Sequence, residues 1–358
     1  MALLYSDSFD LQDTPLRWAV SGTVGDITYG TATRFGSGKA ITLSEVTSNT
    51  TSLMILRAFS ASASIYAGAA IQVGLETGGG GDYTANLFGI YTNNGTNGQI
   101  YIRRLSNNSI VAYRGDPTAG SLGTPSGTQI ASTPAGVLDG NWHYVEVFAT
   151  INASTGQLIV KVDGTTVINF TGNTLNTGIV TTIDALRFRT GKYNASPNAV
   201  ISIDDLYICD ATGAVNNTFL GDVRVQSLVP NAAGTYTQLA PAGAGSNYAN
   251  VNEIPYNDAT YNSSATVGQR DTYALSDLAA STSTVLGMQS VAHMQKSDAG
   301  IANGKVTLLS GGALYYDTTQ SLSTSASAYT QLRETDPATA VAWTVAAANG
   351  LEAGMEVA

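Results

Sequence analysis

Apolar and polar residues in this chain alternate with a period of two over long stretches, and no helical period of useful length appears. The clearest stretch runs from Trp142 to Phe170. Leu158, Val160 and Val162 alternate with Ile159 and Lys161, Asp163-Gly164 supplies a tight turn, and Val167 to Phe170 runs back. Trp142 to Thr150 is an extended run before them. The pattern predicts three successive antiparallel strands with one face on a core. Upstream, SLMILRAFS, SIYAGAAIQVGLE, NLFGIYTNNGTNGQIYIRRL and SIVAYRGD read as strands separated by Asn-Gly and Gly-Gly turns. Downstream, IDALRFRTG and AVISIDDLYICDATG close the set.

Ala211 to Asn217, ATGAVNN, is small and polar and reads as a hinge or long turn, so the boundary is placed near 218. The domains expected are 1–218, a β-sandwich, and 219–358, a smaller β-rich assembly domain. In the second half Leu286, Met288, Ser290 and Ala292 alternate with Val285, Gly287, Gln289 and Val291, which favours a strand. KVTLLSGGALYYD reads as a hairpin about Gly311-Gly312. Asp336-Pro337 marks a turn, and Thr344 can cap a short C-terminal helix ending at Gly350 or Gly354. Trp343, Val345, Leu351 and Val357 are expected to dock this tail on the second domain. The fold class is all-β, an antiparallel sandwich followed by a smaller β-rich domain.

With 358 residues the chain is long for one core. Its formal charge of -10 argues against nucleic acid, whose phosphates call for clustered Lys and Arg. Cys209 is the single cysteine, so no intramolecular disulfide forms. The N-terminal MALLYSDSFD lacks a basic segment followed by an apolar run, and no stretch approaches the length of a membrane span, which points to a soluble product.

RFGSGKAITL at Arg34 to Leu43, the Trp-His and Val-Asp-Gly of the central meander, and the strand AVISIDDLYICDATG together resemble concanavalin A-like, laminin-G-type lectin domains. The resemblance covers roughly residues 1–212. It implies a jelly-roll sandwich that binds or displays rather than catalyses. The second half, from FLGDVRVQSLVP through TVGQRDTYALSDL to the end, resembles structural proteins of tailed bacteriophages. That implies a virion component, assembled in the host cytoplasm with other virion proteins. The role expected is non-enzymatic: a surface decoration or tail-associated protein holding neighbouring subunits. The alternative is an adhesin that binds host-surface glycan. A homo-oligomer is expected, a trimer by analogy with phage surface proteins.

Chemistry is sparse. Glu45, Glu76, Glu146, Glu253, Glu334, Glu352 and Glu356 are isolated, and the Glu-x-Asp-x-x-Glu of retaining glycosidases is absent, which argues against a hydrolase. His143 and His293 are the only histidines, and no Gly-x-Ser-x-Gly elbow accompanies them. His143 reads as a packed or half-exposed strand residue. GLETGGGGD lacks the Lys-Ser or helix of a phosphate cradle. No catalytic or cofactor residue is assigned. The laminin-G resemblance implies calcium as the one candidate ion, with Asp204, Asp205, Asn194, Asn198 and Asp210 as oxygen donors. Adjacent strand residues point to opposite faces, so the competing reading of Asp204-Asp205 is a charged edge that discourages strand pairing. Of the eighteen tyrosines, Tyr83, Tyr91, Tyr113 and Tyr193 fall in polar sequence read as loops, suited to glycan or protein contact. Tyr236, Tyr248, Tyr256 and Tyr261 punctuate an irregular tract, Asn231 to Ser264, expected at a subunit or particle interface.

Overall fold

A computed structural model describes residues 2–22, 24–30, 33–44, 53–74, 85–116, 127–190, 200–243 and 245–358. The chain divides into two compact units. One comprises Ala2–Asp10 and Trp18–Val225, the other Leu11–Arg17 and Gln226–Ala358.

The first unit begins with strands β1 (Leu3–Asp7), β2 (Ala19–Ser21), β3 (Ile27–Gly30), β4 (Ala40–Leu43) and β5 (Met54–Ser62). It continues with β6 (Ser64–Val73), β7 (Ala85–Thr92), β8 (Asn97–Arg104), β9 (Ile110–Arg114) and β10 (Thr128–Ser132). The last five are β11 (His143–Thr150), β12 (Gly156–Val162), β13 (Thr165–Gly172), β14 (Ile183–Arg189) and β15 (Ile201–Asp210). An eight-stranded sheet runs β13-β12-β11-β6-β15-β4-β3, with β1 paired to β15. A seven-stranded sheet runs β10-β9-β8-β7-β14-β5-β2. The fold is all-β and antiparallel, two sheets packed face to face as the alternation requires. Between them lie Val145, Val147, Leu158, Val160 and Ile71 from one sheet and Ile100, Ile102, Ala112, Leu186 and Phe188 from the other, all buried. Each of these side chains larger than that of Ala112 contributes about 1.5–3 kcal/mol by transfer.

The central meander has the predicted register, with Val147 opposite Val160 and Leu158 opposite Phe170. Its turn places both Asp163 (φ 48°) and Gly164 (φ 78°) in the left-handed region, which matches the right-handed twist of the flanking strands. β15 corrects the charged-edge reading of Asp204-Asp205. The strand is interior, flanked by β6 and β4, and both aspartates are buried. A bulge between Asp204 and Tyr207 absorbs Asp205 at φ 51°, so strict alternation fails there. Residues 218–225 run on across the outer face of the eight-stranded sheet, where Leu220 N donates to Tyr207 Oη at 3.1 Å and Val225 N to Asp205 Oδ1 at 2.7 Å.

In the second unit, the single turn α1 (Thr14–Arg17) was not foreseen, being too short to show a period. The strands are β16 (Pro230–Thr237), β17 (Ala240–Ala242), β18 (Tyr261–Ser263), β19 (Arg270–Leu275) and β20 (Met288–Met294). They are followed by β21 (Asn303–Ser310), β22 (Ala313–Tyr316), β23 (Gln320–Ser321), β24 (Ser327–Arg333) and β25 (Glu352–Val357). A six-stranded sheet runs β16-β19-β25-β21-β22 with β23 on β21, and β17–β18 and β20–β24 are separate pairs. The tract expected to be irregular is partly ordered. Residues 230–237 pair with β19, and the buried Asp271 takes the N–H groups of Gln238 (2.6 Å) and Leu239 (2.8 Å) and the amide of Asn247 (2.6 Å).

The predicted helix is α2 (Val345–Asn349), capped by Thr344 Oγ1, which accepts from Ala347 N at 3.0 Å. It stops at Gly350. The residues after it are the interior strand β25 between β19 and β21, not a helical extension. Gly354 makes that possible, because a Cβ there would run into the Asp271 carbonyl. Trp343 and Leu351 are buried with Leu308, while Val345 and Val357 are half-buried.

Candidate functional site

The outer face of the seven-stranded sheet carries an unusual set of side chains, and strand parity explains each of them. On β8, Ile100 and Ile102 enter the core, which turns Tyr101 and Arg103 outward. On β9, Ile110 and Ala112 point in and Val111 and Tyr113 point out. On β14, Leu186 and Phe188 point in, leaving Arg187 and Arg189 outside. β7 departs from alternation. A bulge between Asn86 and Phe88 lets Leu87 and Phe88 both enter the core and leaves Asn86 on the outside.

Register assembles these residues into two rows across the strands. Arg187, Gly89, Tyr101 and Tyr113 form one, and Arg189, Asn86, Arg103 and Val111 the other. The Arg187 guanidinium lies over the Tyr91 ring at 4.1 Å, and that of Arg103 over Tyr113 at 6.0 Å. Gly89 leaves room for Tyr91, since a Cβ would come within 3.0 Å of its ring. The Tyr91 and Tyr101 hydroxyls share a hydrogen bond of 2.7 Å. Burial raises both above the ordinary tyrosine range, and Tyr101 is raised further by Tyr91, so both stay protonated in neutral water. Arg189 Nη1 lies 3.3 Å from Asp116 Oδ2. Asn86 is only 3% exposed, and its Oδ1 is buried without a hydrogen-bond partner, as is Arg187 Nε. A buried polar atom left unmade is costly, so these two atoms call for a ligand donor and acceptor respectively.

Of the residues singled out in the sequence, Tyr91 and Tyr113 meet on this face, on strands β7 and β9 rather than in loops. Tyr83 and Tyr193 lie outside the described residues, as do Asn194 and Asn198. The other four tyrosines belong to the second unit and do not converge. Tyr236 lies under Arg270 at 5.3 Å, Tyr256 packs on His293 at 4.9 Å, Tyr248 is half-buried and Tyr261 is 50% exposed.

Among the described residues, no group of three or more His, Cys, Asp or Glu side chains could hold a metal ion. Asp210 caps its own turn through Thr212 N at 2.9 Å. Asp205 Oδ2 faces Arg34 Nη1 at 3.8 Å, and Arg34 also pairs with Asp222. Burial, with Asp205 adding to it, pushes Asp204 up to about 8, and burial pushes Asp205 up to about 6. Glu146 Oε1 accepts from Tyr207 Oη at 2.6 Å and Gly221 N at 2.9 Å. His143 is clamped between Asp163 (Nδ1, 2.7 Å) and Asp139 (Nε2, 2.9 Å). Burial alone would lower its pKa, but the two carboxylates outweigh it and the net shift is upward.

The arginines and Asn86 were missed in the sequence. For Arg103, Arg187 and Arg189 the signal is the parity of YIRR and LRFR, where each apolar residue assigned to the core sends its neighbour to the opposite face.

No family model matches the chain, and no curated protein matches it. Solved structures of similar shape include a sialidase, at 14% identity and TM-score 0.40 over 57% of this chain; the match spans only 18% of that chain. Alginate lyase Aly36B matches over 58% of this chain and 92% of its own, at 14% identity and TM-score 0.39. An endo-beta-1,4-glucuronan lyase from the fungus Trichoderma reesei matches over 57% and 90%, at 11% identity and TM-score 0.36. Such values speak only to the sandwich fold. They correct one expectation, that of a non-enzymatic structural protein or adhesin. It rested on the premise that sandwiches of this shape bind or display, and lyases share the shape. The chemical ground for that expectation was also too narrow, because a carboxylate pair is needed for glycoside hydrolysis and not for elimination.

Proposed function

We propose that the protein acts on an acidic polysaccharide, taken along the outer face of the seven-stranded sheet and cleaved by β-elimination. The observation that carries this reading is the pair of rows in which arginines, tyrosines and Asn86 gather on one sheet of a chain with net charge -10. Guanidinium groups are matched to carboxylates by geometry as well as charge.

Elimination beside a uronate needs what this face holds. Arg187 neutralises the carboxylate, which acidifies the proton on the adjacent carbon. The electron pair of that C–H bond forms the new double bond as the bond to the glycosidic oxygen breaks. The hydrogen-bonded tyrosine pair passes a proton to the departing oxygen, and the proton lost by carbon replaces it, so the pair begins and ends protonated. The second half's resemblance to tailed-phage proteins suggests the setting: a virion-borne enzyme, oligomeric and assembled in the host cytoplasm, that meets polysaccharide at the host surface.

The test is to incubate the full chain with a panel of polyuronates and follow the ultraviolet absorbance of the unsaturated product. Growth of that absorbance with wild type and its loss in Tyr101→Phe is the expected result. Binding without new absorbance would sink the elimination step. Absence of both binding and product would sink the whole reading.

A further inference from the structure

His143 lies where the chain crosses from one sheet of the sandwich to the other. β10 belongs to the seven-stranded sheet, and β11, which His143 opens, to the eight-stranded one. The connection between them, residues 133–142, is fixed at Leu138, which is buried and whose N–H donates to Asn108 O at 3.1 Å. In its last turn Asp139 Oδ1 accepts from Asn141 N at 3.0 Å and faces His143 Nε2 at 2.9 Å. From the other side the turn between β12 and β13 brings Asp163 Oδ2 to His143 Nδ1 at 2.7 Å. Ile71 is the residue opposite on β6, so the charged groups against the ring are Asp139 and Asp163. A carboxylate only accepts, and a neutral imidazole carries one N–H. Carboxylates at hydrogen-bond distance from both nitrogens are therefore served together only by the imidazolium.

We infer that His143 is a proton-operated clasp: as the imidazolium it fastens the Asp139 turn to the Asp163-Gly164 turn, and loss of one proton releases the Asp139 side. The remaining bonds decide which side lets go. Asp163 stays tied to β11, its Oδ1 taking Tyr144 N at 2.8 Å and its own N–H donating to Tyr144 O at 2.9 Å. The other bonds of Asp139, to Asn141 N and Nδ2, lie within its own turn. Gln72 Nε2 still holds Gly140 O at 3.0 Å, which keeps the release local. Burial works against the imidazolium, yet the two carboxylates outweigh it and raise His143 above 6.5. Asp139 is lowered from 3.8 to about 2, by the Asn141 N–H first and by His143 second. A raised histidine stabilises the fold below its unfolded value, and a lowered aspartate above its own. The clasp is thus whole between 3.8 and 6.5, is lost on the acid side as pH falls toward about 2, and is lost on the alkaline side as pH rises through the raised value of His143.

Histidine-selective nitrogen NMR of the full chain reads the ring directly, and the signal missing from His143→Gln is that of His143. The expected result is a midpoint above 6.5, lowered in Asp139→Asn. The Asn141 amide, which shares Asp139 Oδ1 with the ring, should move with the same midpoint in wild type and stand still through that range in His143→Gln. Between 3.8 and 6.5 the unfolding constant of His143→Gln should exceed that of wild type about two- to fivefold, the range for a largely exposed ion pair, and the gap should close as pH rises. A His143 midpoint at or below 6.5, or an Asn141 amide that moves alike in His143→Gln, would overturn the inference.

Discussion

The two outer faces of the sandwich start from the same alternation and end differently. On the eight-stranded sheet, Tyr144, Glu146 and Tyr207 gather about Gly68, and the chain's own residues 218–225 lie on them. Phe219 packs edge-on against Tyr66 at 5.0 Å and beneath Lys161 Nζ at 4.1 Å. Glu146 and Asp205 receive the N–H groups of Gly221 and Val225. On the seven-stranded sheet, Arg103, Arg187 and Arg189 stand among tyrosines, and Asn86 Oδ1 and Arg187 Nε are buried without a partner. A carboxylate face can be closed by the backbone N–H groups that any segment carries. An arginine face calls for anions, and Asp116 is one carboxylate paired with it. The first face is finished by folding, whereas the second keeps two buried polar atoms, Asn86 Oδ1 and Arg187 Nε, with hydrogen-bonding capacity unspent.

Exchanging damage between the faces breaks this comparison most sharply. Arg187→Ala should weaken polyuronate binding about 10- to 100-fold, the range for a charge-assisted hydrogen bond, with little change in melting temperature. Glu146→Ala should do the reverse, because it strands the buried Tyr207 hydroxyl and Gly221 N–H at a cost of about 1–3 kcal/mol while leaving affinity unchanged. Isothermal titration and thermal melts on both variants read the crossing; equal loss of affinity in both would remove the distinction between the faces.

Gly68→Ala tests the covered face more gently. A Cβ there would run into the Tyr207 ring and approach Tyr144 to 3.0 Å, so overpacking should cost about 1–3 kcal/mol and expose residues 218–225 to protease. An unchanged proteolysis pattern would show that the tyrosine platform does not hold that segment.

A further test is in pH. Asp204 is raised to about 8 from an unfolded value of 3.8, by burial first and by Asp205 second. The folded chain thus keeps a proton that the unfolded chain has lost. Stability falls as pH rises from about 4 to about 8, since the native state binds more protons across that window. Asp204→Asn carries no such proton, and its melting temperature should gain on wild type steadily through the same window. A constant difference would mean that the pair does not titrate there.

Period-two alternation and the Asp163-Gly164 turn made the sandwich legible in the sequence, because each states a local geometry directly. The site was legible only in part. Tyr91 and Tyr113 were picked out as contact residues but placed in loops, since the short strands around them are broken by Asn-Gly turns. Arg103, Arg187 and Arg189 were hidden by averaging: a net charge of -10 says nothing about which face its cations share. Asn86 could not be read at all. A one-residue bulge turns Leu87 and Phe88 both inward, and alternation assigns one of them outward. Asp205, at positive φ in the bulge of β15, defeated the same rule on the other sheet.

Hydrogen exchange of the full chain, free and saturated with polyuronate oligosaccharide, tests the central claim most directly. The account predicts new protection in peptides from Ala85–Thr92, Asn97–Arg104 and Ile183–Arg189, and unchanged exchange in Ser64–Val73, His143–Thr150 and residues 218–225. Protection confined to the second group, or to the second unit, would contradict it.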